Sequence, residues 1–329
     1  MQPVLGIVLV HYNTPTLLRG CLSSLQRCTL PRQIVVVDNA SPSPEGVELV
    51  RREFPDAWLV VNAENRGFAR ATNQGLQALG LARVLSPSSS ERDRGRGDRE
   101  VRVRPPHYAL LLNPDTVVQE GALESLVEFM EAHRRAGAAG PRLLNPDGSI
   151  QGNAFTFPTL LMTFFDFFPL HGRLYHSRLN GRYRAVVGEE PFPIGHPLGA
   201  CLLLRSEALA QVGLLDEEYF MYVEEVDICY RLKRAGWEVY HVPTARVIHY
   251  GGQSTRQLPE RMFVELHRSR YRFFHRYYSS AFRWAHRRLL HLGLWWRALQ
   301  DRRAQREGRL LAAELAGRLA AYGEIAAMR

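Results

Sequence analysis

Along the first third of the chain, apolar residues come in short unbroken runs, separated by stretches with a helical rhythm. Residues 4–11 are a continuous β-favouring run, the mark of a strand buried on both faces. Thr14-Pro15 opens a helix reaching about residue 26, with Leu17, Leu18, Cys21, Leu22 and Leu25 along one face. Residues 33–37 make a second buried strand ending on Asp38, and 57–61 a third, with a helix over 45–54 between them. A helix over 67–79 follows, then a fourth strand at 108–112 that runs into Asn113-Pro114-Asp115. Strands and helices alternating on short connections predict an α/β fold, a mostly parallel sheet with helices on both faces. Polar residues gather where the strands end, the usual ligand side of such a sheet.

The rhythm breaks at 86–106, where Ser, Arg, Asp and Gly displace nearly every apolar residue, and a flexible insertion is expected. Its six arginines are interleaved with four acids, which argues against a nucleic-acid arm. Aromatics crowd 155–169, a composition of core or of a hydrophobic rim. A strand is expected over 198–204 and a helix over 206–212 with Ser206 as its cap. A helix over 224–235 should stop at Gly236, and 237–241 and 246–249 read as two short strands. From Pro259 the pattern is helical to the end. The expected division is an α/β unit over 1–255 followed by a basic, aromatic-rich helical region over 256–329.

Composition changes this picture in a few places. With 329 residues, 46% of them hydrophobic, the chain has enough material for a full core. No run approaches the ~18 apolar residues of a membrane span. Met1-Gln2-Pro3 enters an apolar run without the plan of a secretory signal, so a cytoplasmic protein is expected. Cys21, Cys28, Cys201 and Cys229 lack zinc-ligand spacing and read as buried thiols. The net charge of +9 is uneven: residues 256–329 hold 16 Arg against 6 acids, and the remainder is close to neutral. Within 280–299, Phe282, Leu289, Leu290, Leu292, Trp295 and Trp296 lie among Arg and His, the composition of a helix at a membrane interface. Such a tail implies an anionic partner surface, and lipid fits its apolar residues better than nucleic acid does. The sequence leaves the oligomeric state open.

Candidate chemistry sits at the strand ends. Asp38 there accepts hydrogen bonds from a ribose or base N–H, or simply caps a turn. Asp115 is delivered by a rigid apolar strand and suits a hard divalent cation shared with phosphate oxygens; the competing reading is an Asx-type turn. Glu224, Glu225 and Asp227 open a helix behind Phe220, Met221 and Tyr222, where an acid either complements the helix dipole or serves as a shielded general base. His249, beside Tyr250-Gly251-Gly252, is a metal ligand, a phosphate donor or a structural imidazole. Residues 65–73 join strand to helix, with Gly67 allowing close backbone approach; neither a dinucleotide nor a P-loop glycine pattern is present.

In order, IVLVHYN, IVVVDNAS, NAENRGFARATNQG, LLLNPDT, LGACLLLRSEAL, VGLLDEEYFMYVEEVDICYRLKRAGW and VIHYGG resemble the family 2 glycosyltransferases, particularly their rhamnosyltransferase-like branch, over roughly residues 4–277. The resemblance implies a GT-A fold, with a Rossmann-like nucleotide-binding sheet, and sugar transfer with inversion at the anomeric carbon. By the family pattern Tyr12, Asn13, Asp38, Asn65, Gly67, Asn73, Asn113 and Asp115 line the nucleotide-sugar pocket. Asp115 and His249 hold Mg²⁺ or Mn²⁺, and Gly199 and Asp216 lie near the acceptor. Glu225 is the catalytic base, with Glu224 and Asp227 beside it. Two departures stand out: Glu-Glu-Val-Asp replaces the usual Glu-Asp-Val-Asp, which leaves the base between Glu225 and Asp227, and Asn113 replaces the first acid of the DxD element. The implied donor is a dTDP- or UDP-sugar, dTDP-L-rhamnose first. The implied acceptor is a saccharide or lipid-linked saccharide of a cell-surface polysaccharide, met at the inner face of the cell membrane. The rival reading is a non-catalytic nucleotide-sugar or polyanion-binding protein on the same fold. Nucleic acid is not an expected partner.

Overall fold

Strand β1 (Leu5–His11) is the hinge of the architecture, because it is buried nearly throughout and takes a parallel neighbour on each side. The structure is a computed structural model that describes residues 4–81, 104–168, 170–183, 188–252 and 258–328. Most of the expected insertion, residues 86–103, lies outside these. The first third runs β1, α1 (Pro15–Leu25), β2 (Arg32–Asp38), α2 (Glu45–Glu53), β3 (Trp58–Val61), α3 (Phe68–Ala78) and β4 (Tyr108–Leu112). Then come β5 (Thr116–Val118), α4 (Ala122–Ala132), β6 (Ala136–Leu144), β7 (Ile150–Gln151), α5 (Leu160–Phe167) and a single turn, α6 (Gly172–Tyr175). The last stretch holds β8 (Phe192–Pro193), β9 (Cys201–Arg205), α7 (Ser206–Val212), α8 (Glu224–Arg234), β10 (Glu238–His249), α9 (Pro259–Tyr277), α10 (Ser280–Arg306) and α11 (Ala312–Ala327).

One sheet collects the strands in the order β3-β2-β1-β4-β9-β6-β10-β5. Following the pairings along it, only β9 and β5 run against the other six, so the sheet is mostly parallel as expected. Helices cover both faces. On one, Leu18 and Leu22 of α1, Leu49 of α2 and Leu126 and Met130 of α4 pack against Leu5, Ile7 and Leu9. On the other, Ala69 and Leu76 of α3, Ile228 and Leu232 of α8 and Phe273 of α9 pack against Val8, Val35 and Val37. A third cluster joins Phe167 of α5 to Leu290 and Leu294 of α10 and Ile325 of α11.

Three local expectations change. The two short strands expected at 237–249 are one strand, β10, because a bulge between Val242 and Arg246 absorbs Pro243 without ending the pairing to β6. The strand expected from 198 starts at Cys201, and residues 198–200 are a loop. Ser206 does not cap α7: it is the first helical residue, and its hydroxyl donates to the Pro106 carbonyl, which ties α7 to the start of β4.

Candidate active site

At the ends of β1 and β2, which are in register at His11 and Asp38, one buried network shapes the loop mouths. Asp38 Oδ1 accepts from the Ser41 hydroxyl at 2.6 Å and from His11 Nδ1 at 2.8 Å, and Oδ2 accepts from the Ser41 amide. Burial alone would raise the Asp38 pKa, but the His11 and Ser41 hydrogen bonds outweigh it and hold the carboxyl below its ordinary range. His11 Nε2 accepts from the Thr14 amide, which leaves Nδ1 as the donor to Asp38. The result anchors Tyr12 and Asn13, the latter in left-handed backbone at φ 53°. Asn39, next in sequence to Asp38, is buried and donates to Asn65 and to the Gly67 carbonyl while accepting from Asn62 and the Arg66 amide. No property of Asn39 in the sequence announced this role.

Gly67 has φ 79°, and a Cβ on it would sit 2.6 Å from the Phe220 carbonyl oxygen. The close approach it permits is therefore to the 220 loop, to which the Phe68 amide also bonds at 2.7 Å. Asn73 is buried, and its amide is spent on the Leu215 backbone in both directions and on Glu217. It braces the 215–217 loop and does not line the mouth.

Asp115 and His249 come together because β5 pairs antiparallel with β10, setting His249 opposite Thr116, and because the Tyr250 amide donates to the Asp115 carbonyl. His249 Nε2 lies 3.4 Å from Asp115 Oδ1, a buried atom with no hydrogen-bond partner among the described residues. The proton positions here follow from a chain of partners. The Asp147 carboxylate accepts from the Ser149 hydroxyl, Ser149 Oγ accepts from Asn145 Nδ2, and Asn145 Oδ1 accepts from Gln151 Nε2. Gln151 Oε1 is left to accept from His249 Nδ1 at 2.7 Å. With its donor at Nδ1, His249 turns Nε2 toward the oxygen of Asp115 that has no hydrogen-bond partner among the described residues, and in the Nδ1–H tautomer that atom presents a lone pair. Two acceptors facing each other fit a divalent cation between them. Among the described residues no cluster of three His, Cys, Asp or Glu forms, so phosphate oxygens and water would complete such a site. Asn113 stands beside it, its amide held by the Ala200 carbonyl and its own carbonyl accepting from Thr116.

Across the Leu198–Ala200 loop stand the paired acids. Tyr222 and Val223 take φ 69° and 70°, costing on the order of 1–2 kcal/mol each for non-glycine residues, and turn the chain sharply into α8. This places Glu224 and Glu225 at the helix start. Gly199 faces Glu225, since a Cβ there would lie 3.5 Å from the Glu225 side chain. The loop is set by buried Asn153, which accepts from the Leu198 amide and donates to the Pro141 carbonyl, another residue that the sequence reading passed over. Burial raises the Glu225 carboxyl to about 7 against the opposing pull of helix-start amides. Glu224 is raised well above its ordinary value by burial and then by the charge of Glu225, and its Oε2 has no hydrogen-bond partner among the described residues. Of the two, Glu225 ionises first.

Asp227 and Asp216 are both committed to partners on α8 and α9. Asp227 is fully buried; Oδ1 accepts from Tyr277 at 2.8 Å and Tyr219 at 3.4 Å, and Oδ2 from Arg231 Nε at 2.7 Å. Its oxygens are occupied in tying α8 to α9, so it is a brace and not a candidate base. Asp216 accepts from Arg272 and Arg276 in the wall of a cavity of about 960 Å³ between α9 and the 211–218 segment. It shares Arg276 with Asp227 and is held by α9, whereas Gly199 faces Glu225.

This architecture has relatives of known structure. A mannosyltransferase from Pyrobaculum calidifontis, solved with GDP-Man and Mn²⁺, superposes on 99% of this chain and 86% of its own at a TM-score of 0.53 and 15% identity. The fold is GT-A, that of a glycosyltransferase. The sequence model described as "Glycosyltransferase like family 2" matches residues 3–285, and the chain belongs to that family. It is 31% identical to the N-acetylglucosaminyl-diphospho-decaprenol L-rhamnosyltransferase of Mycobacterium tuberculosis, over 83% of this chain and 84% of that one. It is also 25% identical to the rhamnosyltransferase WbbL of Escherichia coli, over 54% of this chain and 58% of that one.

Proposed function

We propose that this glycosyltransferase moves a hexose, L-rhamnose from dTDP-L-rhamnose first among candidates, onto a lipid-linked saccharide with inversion, using a divalent cation. The observation that carries the reading is the pair of facing acceptors, Asp115 Oδ1 and His249 Nε2, with Glu225 beyond the loop that Asn113 holds through Ala200. Rhamnose is favoured by the names of the mycobacterial and Escherichia coli relatives, and the lipid-linked acceptor by the mycobacterial one. Mg²⁺ or Mn²⁺ held by Asp115 and His249 would stabilise the charge of the departing nucleoside diphosphate. Asp38, Asn65 and the backbone of Tyr12 and Asn13 form the nucleotide end, at the carboxyl edge of β1 and β2. Glu225 Oε takes the proton from the acceptor hydroxyl as its oxygen bonds to the anomeric carbon. The bond from that carbon to the diphosphate oxygen breaks, and its electron pair leaves with the diphosphate. Glu224, held higher still by burial and by the charge of Glu225, gives up its proton after Glu225.

A base must be unprotonated, so kcat/KM should climb as pH rises through about 7, where burial has set Glu225. Glu225→Gln should cut transfer on the order of 10²–10⁴-fold while donor affinity stays within about twofold. The decisive experiment is a panel of UDP-, GDP- and dTDP-sugars with Mg²⁺, Mn²⁺ or EDTA. A metal-dependent donor supports the site as drawn. Donor binding indifferent to EDTA removes the Asp115–His249 assignment, and binding with no turnover on any acceptor moves the reading to a sugar-nucleotide-binding protein.

A further inference from the structure

Helix α10 has two apolar faces, and the fold uses one. Leu290, Gly293 and Leu294 are buried, and Phe167 of α5 packs so closely on Gly293 that a Cβ there would overlap its ring. The opposite face carries Trp284, Leu292, Trp295 and Leu299, which are 64%, 52%, 58% and 38% exposed. Their spacing of eight, three and four residues keeps them on one line along the helix. Arg288, Arg302 and Arg306 continue that same line and are exposed, and Arg288 lies over the Trp284 ring at 5.5 Å. The one acid of the helix, Asp301, is turned away and bonded to Arg318 and Tyr322 of α11. A solvent-facing stripe of tryptophan and leucine with arginines and no carboxylate has no packing task among the described residues.

We propose that this stripe is the surface by which the protein lies on an anionic lipid bilayer. Tryptophan rings settle at the headgroup level, where the ring is half in hydrocarbon and its N–H stays wet, and arginines on the same line meet lipid phosphates. No described helix is long and apolar enough to cross a membrane, so the contact is along the surface. A second copy of the chain is a poorer occupant, because stripe against stripe would set arginines facing arginines. The inference goes beyond the transfer reading and stands without it, since it concerns a helix face that holds none of the site residues.

The test is flotation of the full chain with vesicles of phosphatidylcholine alone or mixed with phosphatidylglycerol, with tryptophan emission read in parallel. Binding to the anionic vesicles, with a blue shift, is expected. A Trp284→Ser, Trp295→Ser double variant and a separate Arg288→Glu, Arg302→Glu variant should each bind at least tenfold more weakly, with unchanged circular dichroism and unchanged donor binding. All four positions are exposed, so the fold tolerates them. Failure to bind anionic vesicles, or binding equally strong in both variants, overturns the proposal. So does sedimentation showing a dimer of the wild type that the tryptophan variant dissociates. Donor binding is measured separately, so a failed membrane result leaves the transferase reading where it stood.

Discussion

At the scale of single residues, the most informative contact is one between a proposed metal ligand, His249, and a side chain that does not itself touch the proposed chemistry, Gln151. Gln151 decides which nitrogen of His249 carries the proton, because its own amide is oriented by Asn145, and through it by Ser149 and Asp147. Without an acceptor at Nδ1 the ring is free to protonate Nε2 and present an N–H to Asp115 where a cation needs a lone pair. Gln151→Leu should therefore weaken Mn²⁺ binding on the order of 10–100-fold, read by electron paramagnetic resonance in the presence of nucleoside diphosphate. Gln151→Glu, which keeps an acceptor, should largely restore it. Equal Mn²⁺ affinity in wild type and the leucine variant would show that the tautomer is set by something else. His249 and Asp115 were readable as candidates because strand ends and glycines flank them. Gln151 was not readable: it lies about a hundred positions away and is brought near only because β7 and β10 both pair with β6.

At the scale of elements, the strands with plain apolar runs, β1, β2 and β4, were legible within a residue or two, whereas β6 was not. Its sequence, AGAAGPRLL, has the glycine, alanine and proline of a loop, yet it is buried along its length between β9 and β10. The reason is steric. Trp237 and Pro197 press against Gly137 and Gly140 so closely that a Cβ at either would overlap them, and Pro141 sits next to the bulge of β10, where a missing N–H is tolerated. Small residues here are demanded by neighbours, which periodicity does not record. Gly67 was legible as special, although its partner was not: the reason for glycine is Phe220, on the loop that turns into α8. Gly67→Ala meets both a left-handed φ and a backbone oxygen that cannot swing aside. It should cost about 2 kcal/mol or more in urea unfolding and lower kcat, because the displaced loop leads directly into Glu224 and Glu225 at the start of α8. An unchanged midpoint would show that the two loops separate easily, against the 2.7 Å bond between Phe68 and Phe220.

At the scale of the whole molecule, the composition boundary at 255/256 does not coincide with a boundary in the contacts. Phe273 of α9 is fully buried and Phe274 nearly so, both within the core that backs the sheet, and Tyr277 supplies a hydroxyl to Asp227. The Ser269 hydroxyl donates to the Met221 carbonyl, just before the left-handed pair that aims the acids. Helix α9 is thus part of the wall behind Glu225, whereas α10 and α11 add a separate cluster around Phe167, Leu290, Leu294 and Ile325. Removing residues 256–329 strips two phenylalanines from the core and leaves the Asp227 carboxylate buried without Tyr277 and Arg276, a loss of several kcal/mol against a typical stability of about 5–15 kcal/mol. A chain ending at 255 should be insoluble or fail to unfold cooperatively. A chain ending at 308, which loses α11 with Ala321 and Ile325 of the third cluster, the Arg268–Glu324 pair and both partners of Asp301, should stay soluble and keep donor binding with a lower midpoint. The two truncations, compared by calorimetry, separate a tail that merely decorates the enzyme from one that completes it. A soluble, cooperative 1–255 fragment that binds donor would establish the former, and would mean that Tyr219 and Arg231 alone suffice to hold Asp227 and, through α8, the base.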